Sequence, residues 1–526
     1  MTPRKIAAAT AAKLAAPFTQ NLPFLLLTWF AAAGIDLAIE LHNLHWKLAL
    51  LFAAYFFVAN YIAVLLCTLW KPLAKVLKPI YFGILVMWNL ANTYCLATYR
   101  TRLSHDFIEI IANSNPGEMR EYAQMYFHWT HVAALIATLV FAIVVYRLAT
   151  DPANRPHRRA WRWGAAALAA ALALLMANPD FKPNELAWDF DMDQIANPAL
   201  FPSHPHVEPL PDATFPQVVI ILGESATPSH MSLYGYKLPT TPRLQKRARR
   251  GELTLFNHAT SPGYNTGMAF KYILNTHTPQ ADDSVKWYRT LGLPELLQTA
   301  GYHTFWLSNQ LPQGLYNNLS SAYSRMCDTA IFLRHSSKDN PYDAELLTLP
   351  VPATTDTAAV FYHLMGQHPH FTNRYPARKT LFLPTDKAYK DYNDTQALML
   401  SRYDNATLYN DFVVDSIMNL YADRNAIVIY FSDHALDLYQ TDPNYCGHAT
   451  ELTAAKGVGV HVPMLVYMTP QFRRLNPRAA ELVDSLAAHP FNTQDIIYLV
   501  ADALALKFSD NAPTSPRDVE PAVSAG

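Results

Sequence analysis

Gln217-Val-Val-Ile-Ile-Leu-Gly-Glu-Ser-Ala-Thr227, then Ser229-His-Met-Ser-Leu-Tyr-Gly-Tyr236 and Thr240-Thr-Pro-Arg-Leu244, is the stretch on which the reading of this 526-residue chain turns. Its first five apolar residues after Gln217 are rich in β-branching and too few for a helix, which predicts a buried parallel strand. Gly223 breaks the run and Glu224 follows at once. A carboxylate at the carboxyl end of a buried strand occupies the place where open α/β sheets bind ligands. Glu224 is therefore a site candidate, although an acidic residue after a strand also serves as an ordinary loop or cap residue.

Outward from this stretch the composition is uneven. Residues 1–180 carry 15 Lys/Arg against 8 Asp/Glu, a net of +7, and the remainder carries 26 against 34, a net of −8. No basic tract points to nucleic acid. Hydrophobic residues make up 51% of the chain and concentrate toward its beginning, so part of it is expected in a membrane. The four cysteines, Cys67, Cys95, Cys327 and Cys446, have no metal-ligand spacing and are too few for a disulfide framework, which leaves a Cys327–Cys446 bridge as the one pairing to consider in an oxidising compartment.

Five apolar segments precede residue 180, at 22–39, 48–70, 80–99, 127–146 and 161–177. The second and third have the length and lack of charge that a spanning helix needs; the fifth is short. Arg4, Lys5 and Lys13 precede the first segment, Lys71, Lys75 and Lys78 separate the second and third, and Arg147, Arg155, Arg158, Arg159 and Arg162 separate the fourth and fifth. This alternation of Lys/Arg predicts a cytoplasmic N-terminus, and an odd number of spans sends everything after Asp180 to the other side. The loop between the third and fourth segments is amphipathic at Asp106-Phe-Ile-Glu-Ile-Ile111 and restarts a helix near Glu118.

The expected organisation is a transmembrane domain at 1–180, a Pro/Asp/Asn-rich linker at 181–215, an α/β domain at 216–508 and a disordered tail at 509–526. Within the α/β part, a helix at 293–299 leads to a strand at 303–307. A long helix at 403–422 leads to a strand at 426–431, a further strand is expected at 460–468, and a helix at 493–506 closes the domain. Such alternation implies a mostly parallel sheet flanked by helices.

Ser432-Asp433-His434 repeats the arrangement at Glu224, with metal-binding types directly after a buried strand. If the two strands are neighbours, two carboxylates and an imidazole converge at one sheet edge, a donor set suited to zinc. A hydroxyl nucleophile is found in His258-Ala-Thr-Ser-Pro-Gly-Tyr-Asn-Thr266. Thr266 opens a helical pattern, either as a metal-assisted nucleophile or as a helix N-cap.

Glu224-Ser-Ala, Ser232-Leu-Tyr-Gly-Tyr236 and Thr240-Thr-Pro-Arg-Leu244 together resemble the signature of the phosphoethanolamine transferases, inner-membrane enzymes of the alkaline phosphatase/sulfatase superfamily. Ser432-Asp-His, Met365-Gly-Gln-His368 with Asn373-Arg-Tyr-Pro376, Tyr403-Asp-Asn-Ala-Thr-Leu-Tyr409, Gly447-His448 and His461-Val-Pro463 extend the resemblance in order along the chain. The resemblance implies an N-terminal five-helix transmembrane domain and a periplasmic sulfatase-like domain. It also implies Glu224, Thr266, Asp433 and His434 as zinc ligands, with Thr266 the nucleophile. His368 and His448 would contact phosphoethanolamine or a second zinc, and Glu118 would help hold the donor lipid. The implied reaction takes phosphoethanolamine from phosphatidylethanolamine through a phosphothreonine to lipid A, a core sugar or another envelope glycan, catalysed by a monomer in the inner membrane.

Three features depart from the family pattern. The run before Thr266 is Ser261-Pro-Gly-Tyr-Asn, which leaves Thr260 and Ser261 as alternative nucleophiles. Ala435-Leu-Asp437 follows Asp433-His434 in place of Gly-Glu-Ser, and Ile110 stands where an Asn is expected before Glu118. None of the cysteines begins the Cys-x-Pro-x-Arg pattern of sulfatases. A phosphoglycerol transferase, a sulfatase-like hydrolase and a non-catalytic envelope protein are the remaining alternatives.

Overall fold

The computed structural model describes residues 2–42, 45–69, 71–99, 103, 119–120, 129–151, 160–177 and 206–509, the last range without 212, 279–286, 288–289, 313–318, 337–338, 354–356, 444 and 449–455. The chain falls into two compact units.

In the N-terminal unit, helices at Pro3–Leu14 and Ala16–Gln20 precede five apolar helices: α1 (Leu22–His42), α2 (Trp46–Leu69), α3 (Lys71–Tyr99), α4 (Trp129–Thr150) and α5 (Ala160–Met176). The first four are long and apolar enough to cross a membrane. α5, with 17 residues, is shorter than such a span normally is, as its sequence foretold. Helix contacts use polar groups that lipid cannot satisfy. Asn60 on α2 donates to the Leu25 carbonyl (2.8 Å) and accepts from the Tyr81 hydroxyl on α3 (2.8 Å). Trp29 Nε1 donates to Ala53 O (3.1 Å). α5 reaches its neighbour through Gly164, where a Cβ would lie 2.2 Å from the Phe18 ring.

The C-terminal unit is built on seven strands. In chain order they are β1 (Gln217–Gly223), β2 (Leu253–Phe256), β3 (His303–Ser308), β4 (Thr329–Phe332), β5 (Ala358–His363), β6 (Ala426–Ser432) and β7 (Met464–Met468). Across the sheet the order is β2-β7-β6-β1-β5-β3-β4. From β6 to β4 all neighbours are parallel, and β7 runs antiparallel to both β6 and β2. β1 is buried along its whole length because both faces are covered. Val218, Ile220 and Leu222 enter one core, and Val219 and Ile221 enter the other. Helix α6 (Pro242–Arg249), helix α7 (Thr266–Phe270), helix α8 (Leu293–Thr299), the 27-residue helix α9 (Asp394–Leu420) and helix α10 (Ile496–Ala503) surround the sheet.

The expected parallel sheet is present, with shifts in its parts. β7 begins at Met464 rather than 460, α9 starts nine residues before 403 under an Asn393/Gln396 capping box, and α10 is shorter than the expected 493–506. β5, central to the sheet, has no counterpart in the sequence reading. Cys327 and Cys446 are free thiols rather than a bridge.

The signature stretch after β1 is a braced loop. Thr240 Oγ1 donates to His230 O (2.7 Å), the Thr241 hydroxyl accepts from Leu233 N (2.8 Å), and Asp411 on α9 accepts from the backbone N–H groups of Arg243 and Leu244 (2.9 Å each) at the start of α6. Buried Asp404 accepts from Tyr389 (2.6 Å) and Tyr236 (2.9 Å), and its other oxygen pairs with His230 Nδ1 (2.7 Å). Tyr403 OH donates to Ser225 O (2.9 Å) and accepts from Thr227 N (3.0 Å), so α9 fixes the chain directly after Glu224.

Candidate active site and metal centre

β1 and β6 pair with Gly223 opposite Ser432. Their next residues, Glu224 and Asp433, therefore leave the sheet side by side at its carboxyl edge, as the strand-end reading requires. Ser225 takes a left-handed conformation (φ 59°) as the chain turns away. Its N–H donates to Asp433 Oδ1 (3.2 Å), and its hydroxyl donates to Glu224 Oε1 (2.6 Å). Asp433 Oδ1 also accepts from His434 N (2.7 Å).

Four side chains meet here. His434 Nε2 lies 3.2 Å from Glu224 Oε1, 3.5 Å from Asp433 Oδ2 and 3.2 Å from Thr266 Oγ1. Thr266 Oγ1 also donates to Glu224 Oε2 (3.3 Å). Ligand bonds of ~2.0–2.1 Å in a tetrahedral zinc site place donor atoms about 3.3–3.4 Å apart, so the cluster has the right spacing. Two further observations fit a cation. Asp433 Oδ2 is buried without a hydrogen bond, and His434 Nδ1 must donate to the Ala435 carbonyl (3.0 Å), which turns the Nε2 lone pair inward. His448 stands beside the same centre: its ring centroid is 4.8 Å from that of His434, and Glu224, His434 and His448 form a group able to hold a metal ion.

The charges are strongly coupled. Burial opposes ionisation of Glu224, but the hydrogen bond and positive charge of His434 outweigh it and hold the carboxyl well below its usual range. Asp433 is pushed the other way, by burial and by the neighbouring Glu224 charge. Burial disfavours the His434 cation, yet Asp433 and Glu224 raise it to about 9. His448 is lowered to about 3 by burial and then by His434, which leaves it a neutral imidazole. A divalent cation would offset the crowding of the two carboxylates.

Thr266 is the first residue of α7, and Asn265 is the cap, accepting from Met268 N (2.9 Å). The N-cap reading of Thr266 is thereby corrected: its hydroxyl is left to the cluster and is partly exposed. Ser261 is instead buried, with its hydroxyl donating to the Asp433 carbonyl, and Thr260 pairs with Asn492 in a short strand contact. His368 follows the β5 turn and interacts electrostatically with both Glu224 and His448. Glu118 lies outside the described residues. Asp437, in the altered Ala-Leu-Asp segment, accepts from Gln440 N (2.9 Å) and shapes the hairpin that carries His448.

No motif marks the neighbours Gln310 and His363, whereas Gly366 and Gln367 belong to the Met365-Gly-Gln-His368 motif. Gln310 Nε2 donates to Leu364 O (3.0 Å) and reaches Glu224 Oε2 at 3.5 Å. His363 ends β5, held to about 4 by burial, with Nδ1 against Ser308 Oγ (3.1 Å). Gly366, at φ 47°, packs on the Glu224 backbone, and Gln367 N donates to Glu224 O (2.9 Å).

A metal-ready cluster at the carboxyl edge of such a sheet, with a hydroxyl in it, defines a class of hydrolases and transferases acting on phosphate or sulfate esters. The family model described as Sulfatase matches residues 216–504, and the chain belongs to this family. It is 27% identical over 308 residues to phosphoethanolamine transferase EptC of Escherichia coli (strain K12), covering 56% of this chain and 52% of that protein. It is 31% identical over 280 residues to phosphoethanolamine transferase EptA of Helicobacter pylori, covering 51% of each. The chain spans about half the length of these curated relatives. Among solved structures, the zinc complex of the periplasmic domain of E. coli EptC is 25% identical with a TM-score of 0.51, over 59% of this chain and 87% of that one. Integral membrane EptA from Neisseria meningitidis superposes with a TM-score of 0.65 over 95% of this chain and 98% of that chain at 18% identity, a likeness of fold. The relatives agree with the resemblance carried by the motifs.

Proposed function

We propose that this chain is a zinc-dependent phosphoethanolamine transferase of the bacterial inner membrane, with its α/β domain in the periplasm. The observation that carries the reading is the convergence of Thr266 Oγ1 with Glu224, Asp433 and His434 at separations of 3.2–3.5 Å. Those four residues would hold the ion, which when bound supplies Lewis-acid stabilisation of negative charge on oxygen. A zinc complex is known for the EptC domain to which this fold is similar.

Donating to Glu224 Oε2 turns the Thr266 proton away and leaves the oxygen lone pairs for attack. Thr266 Oγ1 forms a bond to the phosphorus of phosphatidylethanolamine, and the bond to the diacylglycerol oxygen breaks. A hydroxyl of lipid A or another envelope glycan then attacks the phosphothreonine, Thr266 leaves, and phosphoethanolamine is transferred. His448, neutral by burial, can take the Thr266 proton and pass it to the leaving diacylglycerol oxygen, then take the proton of the incoming hydroxyl and return it to Thr266 Oγ1, with His368 beside it at the same centre. Glu118 is assigned to the donor lipid on the motif resemblance alone.

The periplasmic placement rests on α5 as a fifth span. Its 17 residues extend about 26 Å at 1.5 Å per residue. That falls a little short of the ~30 Å hydrocarbon core, a mismatch that local thinning absorbs. Confining the chain to the membrane raises the effective concentration of lipid substrates.

The test is mass spectrometry of envelope lipids and glycans, and of the protein, from cells making the wild type or Thr266→Ala. A phosphoethanolamine increment on an acceptor, and on Thr266 after brief exposure to phosphatidylethanolamine, is expected only with the wild type. A glycerol-phosphate increment would instead support the phosphoglycerol reading. Equal modification by Thr266→Ala would remove Thr266 as nucleophile.

A further inference from the structure

A second site is built on the opposite edge of the sheet. α6 carries Arg243, Lys246 and Arg247, and Arg250 caps its C-terminal end, at positions i, i+3, i+4 and i+7, the spacing that normally sets an apolar stripe on one helix face. These residues line a cleft of about 870 Å³ whose other wall includes Tyr467, Met468 and Arg473. Met468 pairs with Ile427 at the start of β6, whereas Asp433 follows its end. Six residues at ~3.3 Å each separate the cleft from the metal centre by roughly 20 Å.

The lining holds five cations, Arg243, Lys246, Arg247, Arg250 and Arg473, against two anions, Glu252 and Asp415; Asp484, paired with Arg473 (2.7 Å) from beside the cleft, brings the local charge to +2. The chain beyond residue 180 carries −8 overall (26 Lys/Arg against 34 Asp/Glu), so the cleft runs against its surroundings. Arg247 forms the floor. Its Nε binds Asp415 (2.5 Å), its Nη1 binds Glu252 (3.0 Å), its Nη2 binds Asn419 (2.5 Å), and its guanidinium lies 4.9 Å over the Tyr467 ring. Both acids are thus engaged by a buried arginine. Lys246 makes no ion pair among the described residues. Arg243 and Arg250 have side chains 52% and 59% exposed, and each has one carboxylate contact, at 3.3 and 3.6 Å, which leaves donors free.

Compensation of the helix dipole accounts for cations in the last turn of α6. It does not account for Arg243 in the first turn, where a cation is disfavoured; Arg473, on a different helix, is engaged by Asp484 (2.7 Å). We propose that this cleft binds a ligand bearing two phosphate groups, with Arg243, Lys246 and Arg250 as its contacts. From Arg243 to Arg250 the helix rises about 10 Å, a span that suits phosphates on separate positions of a sugar or on neighbouring lipid head groups better than a single pyrophosphate. Fork-shaped guanidinium donors favour phosphate geometry. The cleft shares no residue with the metal centre.

The full chain in phosphatidylcholine nanodiscs provides the test, with Lys246→Gln/Arg250→Gln as the variant and glucose 1,6-bisphosphate as the soluble probe. In parallel, flotation with phosphatidylcholine vesicles containing or lacking phosphatidylglycerol reads the lipid source. At least about tenfold weaker binding of the sugar bisphosphate by the variant supports a soluble ligand. Loss of flotation confined to phosphatidylglycerol vesicles supports a lipid head group. Binding of neither probe by the wild type, or equal binding by the variant, overturns the proposal. Lys246→Glu, which alters a single exposed side chain, repeats the measurement should the double variant not fold.

Discussion

Gly366 offers a sharp test of how the site is held. It sits in the turn after β5 at φ 47°, with its N–H donating to Asp343 Oδ2 (2.8 Å). A Cβ there would lie 2.7 Å from Glu224 O and 2.9 Å from Glu224 N. Carbon–carbonyl contacts of this kind are normally ~3.3 Å or longer, so relief of Gly366→Ala demands a shift of about 0.6 Å. The obstructing atoms are backbone, and the Glu224 carbonyl is tied to Gln367 N, so no rotamer change can yield. Bonds in a metal site tolerate about 0.2 Å. Gly366→Ala is therefore expected to weaken zinc binding roughly 10–100-fold, the usual cost of disturbing what supports a ligand. Gly301→Ala is the control: its φ is 90° but nothing lies within 4 Å, so it carries only the left-handed strain of about 1–2 kcal/mol. Chelator competition on the full-length protein reads the affinity, and thermal unfolding reads the strain common to both. Should Gly366→Ala hold zinc as tightly as Gly301→Ala, the inference that this close approach positions Glu224 fails.

Zinc affinity is expected to rise with pH. Although burial opposes it, Asp433 and Glu224 raise His434 to about 9, so in the metal-free protein it carries a proton that the metal must displace. Affinity should climb up to about tenfold per pH unit as pH rises toward that value, with proton release measurable by calorimetry in buffers of different ionisation enthalpy; a flat profile refutes it. Asp404→Ala leaves His230, Tyr236 and Tyr389 without their shared acceptor and is expected to cost the C-terminal unit about 3–5 kcal/mol, seen as a lower thermal transition. Gly164→Ala should destabilise the N-terminal unit by about 1–3 kcal/mol through overlap with Phe18, and Phe18→Ala in the same chain should relieve part of that loss, as thermal aggregation of the solubilised protein would show.

Legibility of this chain followed the range of the forces involved. The β1 and β6 strands were readable because complete burial selects continuous β-branched and aromatic runs, and the residues that end them were readable because sheet register carries them to one edge. β5 escaped notice although it lies between β1 and β3: Ala358-Ala-Val-Phe-Tyr-His363 is a short apolar run with no alternation, and periodicity alone cannot separate such a run from helix. β5 delivers His363 and the Gly366 turn that clamps Glu224; the turn lies in the Met365-Gly-Gln-His368 motif, but only the strand that carries it shows what it clamps. Thr266 was found through the order of motifs, since its local pattern equally fits a cap; only Asn265 taking the cap distinguishes the two. Gln310 approaches from the end of β3 with nothing in its neighbouring residues to mark it. The donors on two paired strands are thus local facts repeated twice, whereas the groups that hold them in place depend on approaches between distant segments. Variation among relatives should for that reason fall more heavily on the supports than on Glu224, Asp433 and His434, and the Ala435-Leu-Asp437 segment follows this logic: Asp437 still accepts the Gln440 N–H that shapes the His448 hairpin, although its neighbours depart from the family motif.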